Sequence, residues 1–239
     1  MDHSSSKTAI ITGASRGLGL ALARGLAARR WQLIIDARDG VALEAARCEL
    51  ARAARVVAIA GDIADPAHRR ALADAARDAG RVAAVVNNAS ILGPSPRPVL
   101  LDFPLDILER VYRVNVIGPL GLVHELHARD ALTGDGCIVN ITSDAGVEAY
   151  EGWGGYGSSK AALGQLSAVL AVENPAIRVY WVDPGDMNTR MHQEAFPGED
   201  ISDRPPPEVS VPGLVALIEN RLPSGRYAAR DVVPAVATA

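Results

Sequence analysis

Between residues 8 and 182 short apolar runs alternate with longer amphipathic stretches, and this alternation leaves the chain very few folds. The runs 8–12, 32–36, 55–60, 82–86, 136–141 and 177–182 are too short for helices and rich in Val and Ile, as buried strands are. The stretches 18–30, 41–53, 66–79, 106–129 and 156–172 carry helical periodicity; Leu18, Leu22 and Leu26 share one face of the first, and Pro66 sits in the first turn of the third. Strands that recur with a helix between them pair in parallel and are covered on both faces. The expected fold is therefore α/β: a single-domain, Rossmann-type, doubly wound parallel sheet of about seven strands. With 239 residues and no linker, repeat or composition shift, residues 1–239 read as one dinucleotide-binding domain. The irregular part is 183–211, with Pro184, Pro197 and three consecutive prolines at 205–207; a loop of that length predicts a lid over a site, around 186–211. A helix at 211–220 and a last strand at 226–233 close the pattern.

Composition removes whole classes of function. At 49% hydrophobic the chain is no disordered tail. A net charge of -4 without a basic run argues against tracking nucleic-acid phosphates. No apolar stretch reaches the length of a membrane span, and residues 1–7 are polar and lack a signal-peptide core, so the expectation is a cytoplasmic protein that touches neither nucleic acid nor membrane. Cys48 and Cys137 lack metal or redox spacing and read as small buried or half-buried hydrophobes. Histidines 3, 68, 124 and 127 read as surface or core, and no metal is expected.

The first strand runs into Thr12-Gly-Ala-Ser-Arg-Gly-Leu-Gly19. Its glycines permit positive φ and close approach of a ligand, and the following helix offers unpaired N–H groups to a pyrophosphate. The spacing is neither GxGxxG nor a P-loop. Tyr156 and Lys160, four residues apart in a helix, share one face. Ser143 lies just past a strand, on the edge where open α/β sheets bind ligands.

Taken together, TGxxxGxG from Thr12, Asp62, Asn87-Asn-Ala89, Asn115, Ser143, Tyr156-Gly-Ser-Ser-Lys160 and Pro184-Gly185 with Thr189 resemble, in order, the short-chain dehydrogenase/reductase family. The likeness spans roughly 7–190, and the joint pattern is far more specific than YxxxK alone. It implies hydride transfer between a nicotinamide cofactor and a carbonyl or alcohol. Tyr156 is then the acid/base and Ser143 orients the substrate oxygen. Lys160 lowers the phenol pKa and holds the ribose, and Asn115 steadies a helix kink and a proton-relaying water. Bringing a phenol from about 10 to neutrality takes roughly 4 kcal/mol, which Lys160 and an oxidised nicotinamide are expected to supply.

The resemblance also implies cofactor contacts at Gly13, Ser15, Arg16, Gly17, Leu18 and Gly19 in the turn, and at Arg38, Asp62, Ile63, Asn88 and Ala89. Tyr156, Lys160, Pro184, Gly185 and Thr189 complete them. Counted from Thr12, the residue that discriminates NAD from NADP is Ala37, followed by Arg38; with Arg16 this is the NADP-preferring pattern. A register shifted by one would bring Asp36 to the ribose and favour NAD. Ser143, Trp153, Tyr156 and Met187 are expected to contact the substrate, which the few aromatics and the polar lid suggest is a modest or polar carbonyl compound.

Two departures stand out. Ser90 replaces the glycine that usually closes Asn-Asn-Ala, and Ser224-Gly-Arg-Tyr227 stands where the family carries Val-Asp-Gly-Gly, so the C-terminal packing is expected to differ from the family's. A homodimer or homotetramer is implied by resemblance alone. Two other readings remain: a catalytically silent dinucleotide-binding regulator, which has no use for an intact Asn115, Ser143, Tyr156 and Lys160 set, and an extended epimerase or dehydratase, disfavoured by the short C-terminal region.

Overall fold

A computed structural model describes residues 7–233. Seven strands form one parallel sheet in the order β3-β2-β1-β4-β5-β6-β7. They are β1 (Thr8–Ile11), β2 (Gln32–Ala37), β3 (Val56–Ala60), β4 (Val82–Asn87), β5 (Leu132–Ile141), β6 (Arg178–Asp183) and β7 (Gly225–Ala228). The helices are α1 (Gly17–Ala27), α2 (Gly40–Leu50), α3 (Pro66–Asp78), α4 (Leu105–Tyr112), α5 (Gly118–Ala128), α6 (Gly154–Glu173), α7 (Arg190–Ala195) and α8 (Val211–Glu219). No helix among the described residues is long and apolar enough to cross a membrane.

Successive strand residues point to opposite faces, and both faces are buried. Ile11, Leu33, Ile35, Val86 and Val139 pack with Leu22, Leu26, Leu214 and Leu217 on one side. Their neighbours Ile10, Ile34, Val85, Ile138 and Val179 pack with Leu72, Leu122 and Leu126 on the other. That is why the strands read as apolar throughout instead of alternating. Sequence order reverses between β1 and β4, which pair through Ile10 and Val85. At such a switch point the crossovers leave the sheet in opposite directions and open a crevice beyond the strand ends.

Five expectations need correction. The strand expected at 136–141 begins at Leu132, because β5 continues through a register shift against Val82. The last strand ends at Ala228 and a short 3-10 turn, Ala229–Asp231, follows. The stretch expected to be one helix over 106–129 is interrupted by a π-helical segment, Arg113–Ile117. The irregular 183–211 region holds α7, capped by the Thr189 hydroxyl on the His192 N–H at 3.3 Å. Cys137 is buried as expected, whereas Cys48 is exposed beside Glu44.

Candidate active site

A cleft of about 1140 Å³ runs along the carboxyl edge of the sheet from the Gly-rich turn to Tyr156 and the α7 region. At one end the turn is braced from several sides. The Thr12 hydroxyl accepts the Asn88 and Ala89 N–H groups, each at 3.0 Å. The Asn88 amide donates to the carbonyls of Thr12 (2.8 Å) and Gly13 (3.2 Å). Gly13 has φ +68, and a Cβ there would lie 2.9 Å from the Ala89 Cα, so only glycine fits. Arg16, extended at the head of α1, provides no side-chain cap. The first N–H groups of α1 therefore face the cleft without a side-chain acceptor.

Arg16 and Arg38 are exposed at the rim, and Arg16 pairs with Asp39 at 3.2 Å. Asp36 is buried: its Oδ1 accepts the Gly13 N–H at 2.7 Å and its Oδ2 meets His68 Nε2 at 2.9 Å. Asp62 accepts the Ala64 N–H at 2.9 Å and pairs with Arg110. Burial works to raise its carboxyl, but the Ala64 N–H, Arg110 and Arg38 outweigh it and hold it below the usual range.

At the other end Lys160 Nζ lies 5.3 Å from the centre of the Tyr156 ring and donates to the Ile141 carbonyl at 2.7 Å. Lys160 is only 3% exposed, and burial pulls its ammonium down to about 7. Burial, followed by the carboxylates of Asp183 and Asp144, pushes the Tyr156 phenol well above its ordinary value. The Ser143 hydroxyl donates to Asp144 Oδ1 at 2.8 Å. Tyr150, the second phenol in the cleft, donates to Glu148 at 2.8 Å and is held up near 12 mainly by that bond. Trp153 stands edge-on to Tyr156 at 5.7 Å and carries Arg97, whose guanidinium carbon lies 4.0 Å from the ring centre.

A protein-family model described as short chain dehydrogenase matches residues 7–200. The chain belongs to the short-chain dehydrogenase/reductase family. It is 34% identical to 2-(R)-hydroxypropyl-CoM dehydrogenase of Xanthobacter autotrophicus, over 83% of this chain and 82% of the relative. It is 32% identical to the sepiapterin reductase of Bos taurus, over 78% and 74%. An alcohol dehydrogenase from the archaeon Thermococcus sibiricus, solved with 5-hydroxy-NADP, superposes with a TM-score of 0.83 at 26% identity, covering 94% and 96% of the two chains.

Within this dehydrogenase fold the cleft is lined by Gly13, Ser15, Arg16, Gly17, Leu18 and Arg38, by Asp62, Ile63, Asn88 and Ala89, and by Ser143, Trp153, Tyr156, Lys160, Pro184, Gly185, Met187 and Thr189. Two expected site residues do not line it. Gly19 lies beneath the turn, where a Cβ would come within 2.5 Å of the Gly13 carbonyl, so its task is close packing of helix on turn. Asn115 is buried in the π-helical segment; its amide donates to the Ile91 carbonyl and to Ser159, and its carbonyl accepts the Ile91 N–H. The neighbouring Ser159 donates on to the Tyr156 carbonyl at 2.6 Å, a link the motif spacing did not single out. Asp144 and Asp183, the two carboxylates acting on Tyr156, were also missed, although each adjoins a motif residue, Ser143 and Pro184. The end of the cleft near Tyr156 is more apolar than the composition of 183–211 suggests, since Leu92, Trp153, Met187, Met191 and Phe196 line the cleft.

Proposed function

We propose that this chain is an NADP-dependent carbonyl reductase or alcohol dehydrogenase with Tyr156 as its acid/base. The observation that carries the reading is one continuous cleft holding Arg16 and Arg38 at one end and Ser143, Tyr156 and Lys160 at the other. The unpaired N–H groups at the head of α1 suit a pyrophosphate, and two guanidiniums suit a 2′-phosphate. Asp36 supports NADP over NAD, because both of its oxygens are engaged inside the protein, on Gly13 and His68. The Arg16–Asp39 pair is half exposed and weak, so it yields to a phosphate dianion.

Bound there, the reduced nicotinamide supplies a hydride. The protein's part is one proton and the placement of one oxygen. Burial and two carboxylates keep the Tyr156 phenol protonated near neutrality, the state required to protonate a developing alkoxide. Ser143 rotates its hydroxyl from Asp144 to the substrate oxygen. Lys160, poised near 7, holds a ribose hydroxyl and passes a proton on. The carboxylates oppose the phenolate that alcohol oxidation needs, so oxidation should demand a higher pH than reduction. A homodimer or homotetramer is carried over from the family, and sedimentation tests it.

The test is a fluorescence titration with NADPH and with NADH, followed by a panel of aldehydes, ketones and quinones. Selective NADPH binding with turnover of a panel member is expected; NADH-selective binding overturns the cofactor assignment. Tyr156→Phe is expected to lose at least about 100-fold in turnover with NADPH affinity unchanged, and full activity in that variant removes Tyr156 from its role.

A further inference from the structure

The chemistry above leaves one buried titratable pair unused. Asp36 is the only buried carboxylate among the described residues, and its partner His68 is the only buried histidine; their side chains are 2% and 5% exposed. We infer that Asp36 and His68 are positioning residues for the dinucleotide-binding turn, with His68 acting through Asp36 to fix the Gly13 N–H. The inference rests on the reading of that turn as the cofactor site.

Asp36 grips two successive N–H groups of the turn. Its side chain takes Gly13 at 2.7 Å and its backbone carbonyl takes Ala14 at 2.9 Å. The Gly13 carbonyl is held from the opposite side by Asn88. Gly13 is therefore fixed at both its donor and its acceptor, in a positive-φ conformation that has no slack against Ala89. This leaves the N–H groups from Ser15 onward to be aimed by the part of the turn that cannot move.

A buried carboxylate with one partner is costly and drifts toward any other donor. His68 removes that freedom by occupying Oδ2. It reaches Asp36 from the first turn of α3, passing over Gly61 just beyond β3. A Cβ on Gly61 would lie 2.2 Å from His68 Nδ1 and 2.6 Å from its Cγ, so the ring can sit there only because residue 61 is glycine. The end of β3, the start of α3, the end of β2 and the Gly-rich turn thus form one stack, each holding the next. His68 thus acts on the turn through Asp36, from which it is thirty-two residues away in sequence.

The experiment compares Asp36→Ala, Asp36→Asn, His68→Leu and Gly61→Ala with the parent by NADPH titration and steady-state kinetics, using Ser167→Ala as a control. Ser167 is a buried hydroxyl bonded to Leu163 and Asn140, away from the turn. Asp36→Ala, His68→Leu and Gly61→Ala should raise the NADPH Kd at least about 10-fold, the effect of losing a hydrogen bond to a charged group, with kcat at saturating NADPH within about twofold. Asp36→Asn should bind NADPH nearly as the parent does, because its oxygen still accepts the Gly13 N–H while its amide donates to Nε2 once the His68 ring carries its proton on Nδ1. Ser167→Ala should lower Tm and leave the NADPH Kd alone. Parent-like Kd values in Asp36→Ala and His68→Leu overturn the inference, and so does an Asp36→Asn as weak as Asp36→Ala. If His68→Leu fails to fold, Gly61→Ala against Asp36→Asn makes the same comparison. A parent protein that binds neither NADPH nor NADH defeats the dinucleotide reading itself, whereas a binding parent with unaffected variants defeats this inference alone.

Discussion

Lys160 shows most directly how one residue's environment becomes a measurable property. Burial alone brings its ammonium to about 7 in the folded protein, from an ordinary 10.5. Between those two values the unfolded chain holds a proton that the folded chain has lost, so stability rises with pH across the window. Below 7 both states are charged, and the full cost of burying the ammonium is present. Replacing Lys160 with Met removes the titration. The melting temperature of the cofactor-free parent relative to Lys160→Met should therefore climb by several degrees between pH 6 and pH 9.5; parallel pH profiles would show that the ammonium is not desolvated. Spacing in the sequence was enough to single out Tyr156, Ser143 and Lys160, which line one cleft, because a helix and a strand end fix where such residues stand. The carboxylates that oppose ionisation of Tyr156, and the partner that immobilises Asp36, are brought in by other segments, and no local pattern encodes those contacts. Asp36 also shows the limit of counting: the register that places it one residue before Ala37 gave no sign that His68 awaited it.

At the scale of elements, the sequence located nearly every helix and strand but misjudged breaks and ends. The interruption of the 106–129 stretch has a local cause that hydrophobic periodicity does not register. Pro119 has no N–H to give the carbonyl four residues earlier, which is that of Asn115, and the π-helical segment Arg113–Ile117 falls at this break. The Asn115 side chain then clasps Ile91 on the far side of the cleft floor. Helix α7 is a different case. Six residues do not hold a helix in water, and this one is tied down from outside. Arg97 Nε donates to the Ala195 carbonyl at 2.9 Å, the Ser95 hydroxyl donates to that of Glu194 at 2.7 Å, and the Arg97 guanidinium lies against the rings of both Trp153 and Phe196. Arg97→Ala should therefore loosen the wall of the substrate end and leave the turn at the other end untouched. Carbonyl KM is expected to rise about 10-fold or more, in line with losing a desolvated cation–π contact and a hydrogen bond, while the NADPH Kd stays constant. Equal losses on both ligands would mean that α7 is coupled to the whole cleft.

For the whole molecule, the hand of each crossover follows from connectivity, since parallel strands joined by helices wind one way, and the point where that winding reverses is where the cleft opens. What connectivity could not show is how the C-terminal segment packs without the usual Val-Asp-Gly-Gly. Here β7 is only four residues long, yet it pairs in parallel with β6 from Tyr180–Gly225 to Asp183–Ala228, and the turn after it is pressed against α8. A Cβ on Gly213 in α8 would stand 1.9 Å from the Ala229 carbonyl oxygen and 2.8 Å from its carbon. These are backbone atoms that cannot rotate aside. Helix α8 also meets α1 closely, with a Cβ on Gly25 placed 2.7 Å from the Val211 side chain. The helix has no free direction in which to retreat, so Gly213→Ala must displace the C-terminal turn or the α1–α8 contact. Overpacking of this kind costs about 1–3 kcal/mol, which for a chain of this size lowers Tm by about 2–4 °C per kcal/mol. The contact lies on the α1 and α8 side of the sheet, away from Tyr156 and Lys160. NADPH affinity and kcat at a temperature where the variant is folded should therefore match the parent. A fall in Tm with unchanged kinetics would establish that the shortened C-terminal strand anchors the fold without shaping the site; a loss of turnover in step with Tm would place that strand within the catalytic framework.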